Sequence, residues 1–188
     1  MTQSQTGHYT TVAKILHWWI AVLIIMMLIF GQGFDEPKTA DEMAFSLAGH
    51  SSLGLTVIGL IVLRILWRLG HPPPELPEGL NPAQKSAAKL SHLMLYALMI
   101  YVPLTGLYTI AAHESVATPF RAFNLNAALS FLGDSNFEGR RFLHEIGTWG
   151  LIGFLGLHIA AALQHQFILK DGVLRRMWFG RGKPKAPE

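Results

Sequence analysis

Histidine is the residue type in this sequence best suited to metal or redox chemistry, because the 188 residues include nine histidines and no cysteine. His144 and His158 lie 14 residues apart in a largely apolar stretch. In a helix this spacing returns to within about 40° of the same face and separates the two rings by about 21 Å along the axis. Two imidazoles on one haem iron close both axial positions and leave an electron-transfer centre. The spacing therefore predicts a helix that gives one ligand to each of two stacked haems.

Two further histidines lie near the ends of other apolar stretches. His17 is found in KILHWWI and His50 in LAGHSSLG. A single histidine in an apolar span is most often satisfied by a hydrogen bond to a neighbouring helix. Four histidines at suitable depths favour haem ligation instead. The absence of cysteine excludes disulfides, thiolate zinc sites, cysteine-ligated iron–sulfur clusters and covalently attached c-type haem.

Arginines and glycines near these histidines have two interpretations each. Arg64 follows His50 by 14 residues and shares its helix face, so Arg64, with Arg68 beside it, is a candidate partner for a haem propionate. The alternative is that both arginines extend to the membrane surface. Glycines recur every third residue between His144 and His158. They are typical of close helix contacts, but beside two histidines we expect them to make room for a porphyrin. These glycines are Gly147, Gly150, Gly153 and Gly156.

The helices that must position these side chains are visible in the distribution of charge. Charged residues make up 14% of the chain, against about 25% in soluble domains. They leave four gaps of 20 to 24 residues, each long enough for a helix across a bilayer core of about 30 Å. We predict an all-α, four-helix transmembrane bundle with two haems in its core, formed as one domain over residues 1–188. The predicted spans are about 12–33, 46–69, 89–112 and 143–168.

Lysine and arginine are unequally divided between the two sides of this bundle. Eleven lie on the side of both termini and four on the other side. The positive-inside rule then places both termini in the cytoplasm. Contact with anionic lipid accounts for the basic balance, so no nucleic-acid partner is expected. The first span lacks a signal-peptide cleavage pattern and is expected to remain as a helix.

Four histidine contexts and the C-terminal sequence together resemble the bacterial cytochrome b561 family, especially its small superoxide:ubiquinone oxidoreductase members. The resemblance covers nearly the whole chain and implies two haem b groups in a bacterial inner-membrane protein. It pairs His50 with His144 and His17 with His158. By depth alone His165 is nearer to His17, but it lies 21 residues, about 31 Å, from His144, so His158 is preferred. The matching segments are KILHWWI, LAGHSSLG with VLRILWRL, KLSHLMLYALMIYVPLTGLY, and FLHEIGTWGLIGFLGLHIAAALQHQFILKDGVLRRM.

The resemblance also implies an activity, in which electrons pass from periplasmic superoxide to membrane ubiquinone. Cations near the periplasmic haem would attract superoxide, unless they only balance the acidic residues of a solvated loop. A quinone that takes up protons needs a protonatable group near the cytoplasmic haem, and His165 is the best single candidate. The candidate cations are Arg140, Arg141 and Arg121, and the other quinone candidates are His92, Lys14 and Trp18 or Trp19.

Two alternatives remain open at this point. The chain could be the haem-bearing membrane subunit that passes electrons from a dehydrogenase or hydrogenase-like protein partner to quinone. It could also be a metal permease that uses histidines without haem. The four charge-free gaps contain no carboxylate, which disfavours a permease. His113 is expected to be interfacial, and His8 and His71 to be ordinary surface residues.

Overall fold

The protein consists mainly of four long helices, in a computed structural model that describes residues 8–36, 38–76, 79–133 and 135–179. All four helices are long and apolar enough to cross a bilayer, and no strand occurs among the described residues. The predicted all-α, four-helix transmembrane bundle is thus confirmed. The helices are α1 (Thr11–Gly31), α2 (Ala40–Gly70), α3 (Pro82–Ile110) and α4 (Phe137–Gln164), and α4 continues as a π-helical turn over His165–Leu169.

Polar residues set the starts of the helices. Thr39 and Asn81 each form a reciprocal capping box with the residue three positions later, and Thr10 accepts a backbone N–H of α1. Asn136 caps α4 from a left-handed conformation, and its side chain occupies the space where a Cβ on Gly139 would lie. The start of α1 and the end of α4 meet at one end of the bundle, named here the terminal end. The opposite end is named the loop end.

Two of the glycines in α4 serve helix packing. A Cβ on Gly147 would lie 2.6 Å from Cε1 of Tyr101, and one on Gly150 would lie 3.4 Å from Cδ2 of Leu98. Both neighbours belong to α3, so these glycines allow α3 and α4 to approach closely. For this pair the helix-contact interpretation is correct and the expectation of room for a porphyrin is wrong. Gly153 and Gly156 face open space, as does Gly59 on α2.

An apolar core fills the middle of the bundle, between the depths of the two histidine pairs. All four helices contribute to it, so the two ends of the bundle are separated by hydrocarbon side chains. The most extensive helix pairings are α1 with α2 and α3 with α4. The buried members of this core are Ile20, Leu23, Ile24, Val57, Ile61, Leu95 and Leu151.

The connection between α3 and α4 closes the loop end and is organised by Asn126. Its Nδ2 donates to the carbonyls of Ile110, His113 and Ser115, at 2.9, 3.0 and 3.3 Å. Its Oδ1 accepts the N–H of Ala117 at 2.8 Å. One amide side chain therefore binds four backbone groups at and beyond the end of α3, and Ile110 is the one whose carbonyl also accepts the N–H of His113.

The segment after α4 folds back across the terminal end. Residues 171–179, named here the C-terminal strap, follow Lys170, whose φ of 52° is left-handed. Lys14 Nζ donates to the carbonyl of Trp178 at 3.0 Å, and Trp18 Nε1 donates to that of Met177 at 2.9 Å. The strap is thus fixed to α1 by side-chain bonds. Its 3-10 turn over Leu174–Met177 is too short to be an amphipathic surface helix.

Candidate functional site

Two histidines from different helices face each other near the loop end. The rings of His50 on α2 and His144 on α4 have centroids 6.2 Å apart and planes inclined by 79°. Nδ1 of His144 lies 2.9 Å from the carbonyl oxygen of Val102. Because a carbonyl can only accept, Nδ1 must carry the proton, and Nε2 is left with a free lone pair. This arrangement is typical of histidines that bind a metal.

The third helix shapes the pocket of His144 although it supplies no member of the pair. A Cβ on Gly106 would lie 3.1 Å from Cε1 of His144, so glycine leaves the space that the ring occupies. The buried hydroxyl of Thr105 lies 3.4 Å from Nδ1 of His144. These α3 residues were not singled out from the sequence. The sequence offered one signal for them: a threonine and a glycine follow Pro103 closely, within the third predicted span.

His50 has a buried nitrogen that lacks a partner. Its Nδ1 makes no hydrogen bond among the described residues, and Phe34 packs edge-on against its ring at 5.2 Å. A buried polar atom without a partner calls for an explanation such as an ion or cofactor at the site. A metal–nitrogen bond is about 2 Å long, and the nitrogen lies about 1.1 Å from the centre of its ring. Two such bonds and two such ring distances add to about the 6.2 Å that separates the ring centroids of His50 and His144. The loop-end pair therefore fits one metal atom between two imidazoles.

A second pair with the same spacing lies near the terminal end. His17 on α1 and His158 on α4 have ring centroids 6.2 Å apart, with planes inclined by 74°. His92 on α3 also approaches His158, at 5.6 Å between centroids. His165 does not join this group; its Nδ1 instead lies 2.5 Å from a carboxylate oxygen of Asp171. The structure thus brings together the two pairs that the family resemblance implied.

Arginines stand beside the terminal-end pair. Arg64 lies near His17 and His158. Its Nε donates to the hydroxyl of Tyr96 at 2.9 Å and its Nη1 to the carbonyl of Ala13 at 3.2 Å. The guanidinium of Arg68 lies over the ring of Tyr96, 5.5 Å from its centroid. The guanidinium of Arg64 is therefore held in place near the histidines, as a propionate partner would be.

The pairs need a cofactor to complete a metal site. Across the described residues there is no group of three or more histidine, aspartate or glutamate side chains that could hold a metal ion. Two imidazoles alone are an incomplete ligand set, whereas a porphyrin brings four nitrogens of its own and needs only axial ligands. The donor set therefore suits haem, and His17, His50, His144 and His158 are the residues that would hold it.

The quinone candidates at the terminal end divide by what their polar atoms contact. Lys14 is buried, and both it and Trp18 donate to carbonyls of the C-terminal strap. Trp19 is instead 60% exposed on the outer face of α1. His92 lies inside, against His158. Lys14 and Trp18 thus bind backbone carbonyls of the C-terminal strap. His165 differs from them because its partner is the carboxylate of Asp171.

The three candidate cations of the loop end differ in exposure. Arg140 is 3% exposed and donates to the carbonyls of Tyr108, Leu132 and Gly133, so its guanidinium is turned away from solvent and satisfied by backbone. Its guanidinium also lies 4.0 Å from the centroid of the Tyr108 ring. Arg141 is exposed and pairs with Glu145 at 2.6 Å. Arg121 is exposed, with a left-handed φ of 55°.

His113 lies just beyond α3, outside the spanning segments. Its Nδ1 accepts the N–H of Ser115 at 2.9 Å, and its ring packs on Phe137 with centroids 5.2 Å apart. Burial lowers the pKa of His113, so the ring is neutral at neutral pH. His113 therefore helps to fix the connection at the loop end.

Comparisons with known proteins agree on one family. The family model described as prokaryotic cytochrome b561 matches residues 8–180. Cytochrome b561 homolog 2 of Escherichia coli (strain K12) is 29% identical over 171 residues, 90% of each chain. Cytochrome b562 of Cereibacter sphaeroides is 30% identical over 179 residues, 93% of this chain and 97% of that protein. Probable superoxide oxidase CybB of Yersinia pestis is 28% identical over 167 residues, 86% of this chain and 90% of that protein.

Proposed function

Because the chain belongs to the prokaryotic cytochrome b561 family, we propose that it carries electrons through the membrane from periplasmic superoxide to ubiquinone, by way of two haem b groups. Membrane electron transfer and haem b binding are what this family implies. The observation that supports two haems is the pair of histidine contacts with equal ring separations of 6.2 Å. The likeness to a probable superoxide oxidase supports the choice of donor.

In this proposal helices α1, α2 and α4 would hold the haems, through His50 with His144 and through His17 with His158. Bound haem supplies one-electron redox chemistry between ferric and ferrous iron. The two imidazoles of each pair would hold the iron and would leave no open position for oxygen, so the haem would supply electron transfer alone. Arg64 and Arg68 are proposed to neutralise the propionates at the terminal end. The apolar core between the pairs keeps water out of the space between the two centres.

The proposed orientation in the bacterial inner membrane follows the charge asymmetry. With eleven lysines and arginines on the side of the termini and four on the other, the terminal end faces the cytoplasm. The loop end then meets superoxide in the periplasm. Because Arg140 is buried, the proposed attraction for this anion comes from Arg121 and Arg141.

Ubiquinone is proposed to bind at the terminal end, with His165 as the residue that touches its oxygen. Two superoxide ions lose one electron each to become two oxygen molecules. One quinone gains both electrons and two protons to become quinol. His92, Lys14 and Trp18 line this end of the bundle and remain candidates for the same site.

The test combines a spectrum with a coupled assay. Purified protein should show a reduced b-type α band at about two haems per chain. In a flux of superoxide, it should consume superoxide and reduce decyl-ubiquinone at a ratio of two to one. A His144→Ala variant should lose one haem and the coupled activity, whereas His71→Ala, at an exposed position, should lose neither. A protein without haem, or one whose haem superoxide does not reduce, would disprove the proposal.

A second function stays in view because three relatives are named only as cytochromes. The chain could accept electrons from a dehydrogenase or hydrogenase-like partner and pass them to quinone. In that case, dithionite-reduced protein would reduce decyl-ubiquinone, while superoxide would leave the haem oxidised. The same assay therefore separates the two functions.

A further inference from the structure

The end of α4 departs from a regular helix where it brings His165 and Asp171 together. The helix changes from α to π at His165–Leu169, and Lys170 and Gly172 then adopt left-handed φ values of 52° and 76°. In a continued α-helix, residues six apart would lie about 120° apart around the axis and about 9 Å apart along it. The chain reversal instead places Nδ1 of His165 2.5 Å from Oδ2 of Asp171. Short π-helical turns are rare and frequently mark functional sites.

The carboxylate of Asp171 is held from two sides. Its Oδ2 contacts His165, and its Oδ1 accepts the N–H of Val173 at 3.1 Å. A carboxylate accepts hydrogen bonds, so the contact keeps a proton on Nδ1 and leaves Nε2 of His165 as the nitrogen available to a ligand. The two side chains are 19% and 24% exposed, which lets water reach them at the surface of the bundle.

The position of His165 and Asp171 suits a quinone-binding site beside the terminal-end histidine pair. His165 follows His158 by seven residues, which returns a helix to within about 20° of the same face and moves about 10.5 Å toward the terminal end. The strap that follows Asp171 is fixed to α1 at Lys14 and Trp18, and Trp18 contacts the ring of His17. Asp171 is therefore part of a segment that is tied to the helix carrying a ligand.

We propose that Asp171 is a positioning residue for proton transfer to quinone: its carboxylate holds the imidazolium of His165 so that Nε2 delivers a proton to the quinone oxygen. This inference rests on the proposed function, since it requires a quinone at the terminal end. The quinone gains two electrons through the protein and two protons by way of His165. After each transfer, His165 is a neutral imidazole that still donates Nδ1–H to Asp171, and it regains its Nε2 proton from water.

The experiment isolates the quinone step from the donor. Full-length protein with its haems is reduced by stoichiometric dithionite and mixed with decyl-ubiquinone, and haem reoxidation is followed optically. Asp171→Asn should slow reoxidation at saturating quinone at least tenfold with KM within twofold, because the carboxylate that orients the His165 ring through Nδ1 is lost. Asp171→Glu should recover part of the rate. Haem content should stay unchanged in both, and Asp41→Asn, an exposed carboxylate at the loop end, should behave as wild type.

A double variant decides whether the effect passes through His165. In a His165→Ala background, Asp171→Asn should cause no further slowing. An undiminished tenfold effect in that background, or a wild-type rate in Asp171→Asn alone, would overturn the inference while leaving the superoxide and quinone activity in place. If wild-type reduced haem is not reoxidised by decyl-ubiquinone at all, the proposed function fails and this inference falls with it.

Discussion

Single residues on α3 decide how the ring of His144 is held. Val102 fixes the proton on Nδ1 through its carbonyl, and Gly106 leaves the space beside Cε1. Both effects come from a helix that supplies neither member of the loop-end pair. The orientation of the His144 ring therefore depends on its neighbours in α3 as well as on its own helix.

Gly106→Ala should weaken the loop-end haem site. The added methyl group would lie 3.1 Å from Cε1 of His144, so the ring must shift away from it. An overpacking cost of about 1–2 kcal/mol corresponds to roughly tenfold weaker haem binding. Haem titration of the depleted protein measures this, with Gly70→Ala, where nothing lies within 4 Å, as the control. Equal affinities for both variants would show that α3 does not position His144.

The pairing of His165 with Asp171 shows what residue-level reasoning from sequence leaves out. The four ligand candidates follow from helical spacing and from a family resemblance, since a regular helix fixes which residues share a face. Asp171 could not be found in this way. Its contact depends on a π-turn and on left-handed Lys170 and Gly172. The Asp-Gly pair marks a turn, but nothing in ILKDG predicts the π-turn or a left-handed lysine. Likewise the burial of Arg140 depends on carbonyls of a connection without helical periodicity.

At the scale of elements, Arg140 joins α3, the connection at the loop end and α4. Its guanidinium satisfies the carbonyls of Tyr108, Leu132 and Gly133, all at about 3 Å. Arg140→Ala should lower the free energy of unfolding by about 2–4 kcal/mol, because three carbonyls lose a buried donor. Denaturant unfolding in detergent measures the change. Arg141→Ala, an exposed neighbour, should stay within about 0.5 kcal/mol of wild type; similar losses in the two variants would contradict this account.

The docking of the C-terminal strap on α1 depends in part on one hydrogen bond from Trp18. Trp18→Phe removes the Nε1 donor to the Met177 carbonyl and keeps an aromatic ring against Trp178. We expect a loss of about 1 kcal/mol in strap docking, which raises the open population roughly fivefold. Trypsin cleavage after Arg175 and Arg176 should accelerate by that factor. Trp19→Phe, on the exposed face, should be cleaved at the wild-type rate, and faster cleavage there would point to a general loss of stability.

At the scale of the whole molecule, the bundle consists of two helix pairs. Contacts are most extensive between α1 and α2 and between α3 and α4. Each histidine pair crosses from one half to the other, because His17 and His50 belong to the first half while His144 and His158 belong to α4. A haem bound by such a pair therefore joins the halves.

Haem removal should accordingly destabilise the entire bundle. A ligand present at about a thousand times its Kd stabilises a protein by about 4 kcal/mol, which corresponds to roughly 10 °C in Tm for a chain of this size. Circular dichroism melts of haem-depleted and haem-loaded protein in the same detergent measure the difference. An unchanged Tm would mean that the apolar core alone joins the two halves.

Helix α4 carries one histidine of each pair and so fixes the spacing between the two pairs. Because α4 carries one histidine of each pair, two centres held by these pairs would be separated by 14 residues along a single stretch of backbone. A thicker or thinner bilayer can tilt the helices against one another, yet it cannot change that count. One residue inserted between His144 and His158 would turn one ligand by about 100° and abolish a site. In the proposed function, the distance between the two haems would therefore be set by the backbone of α4 and would not depend on the thickness of the bilayer.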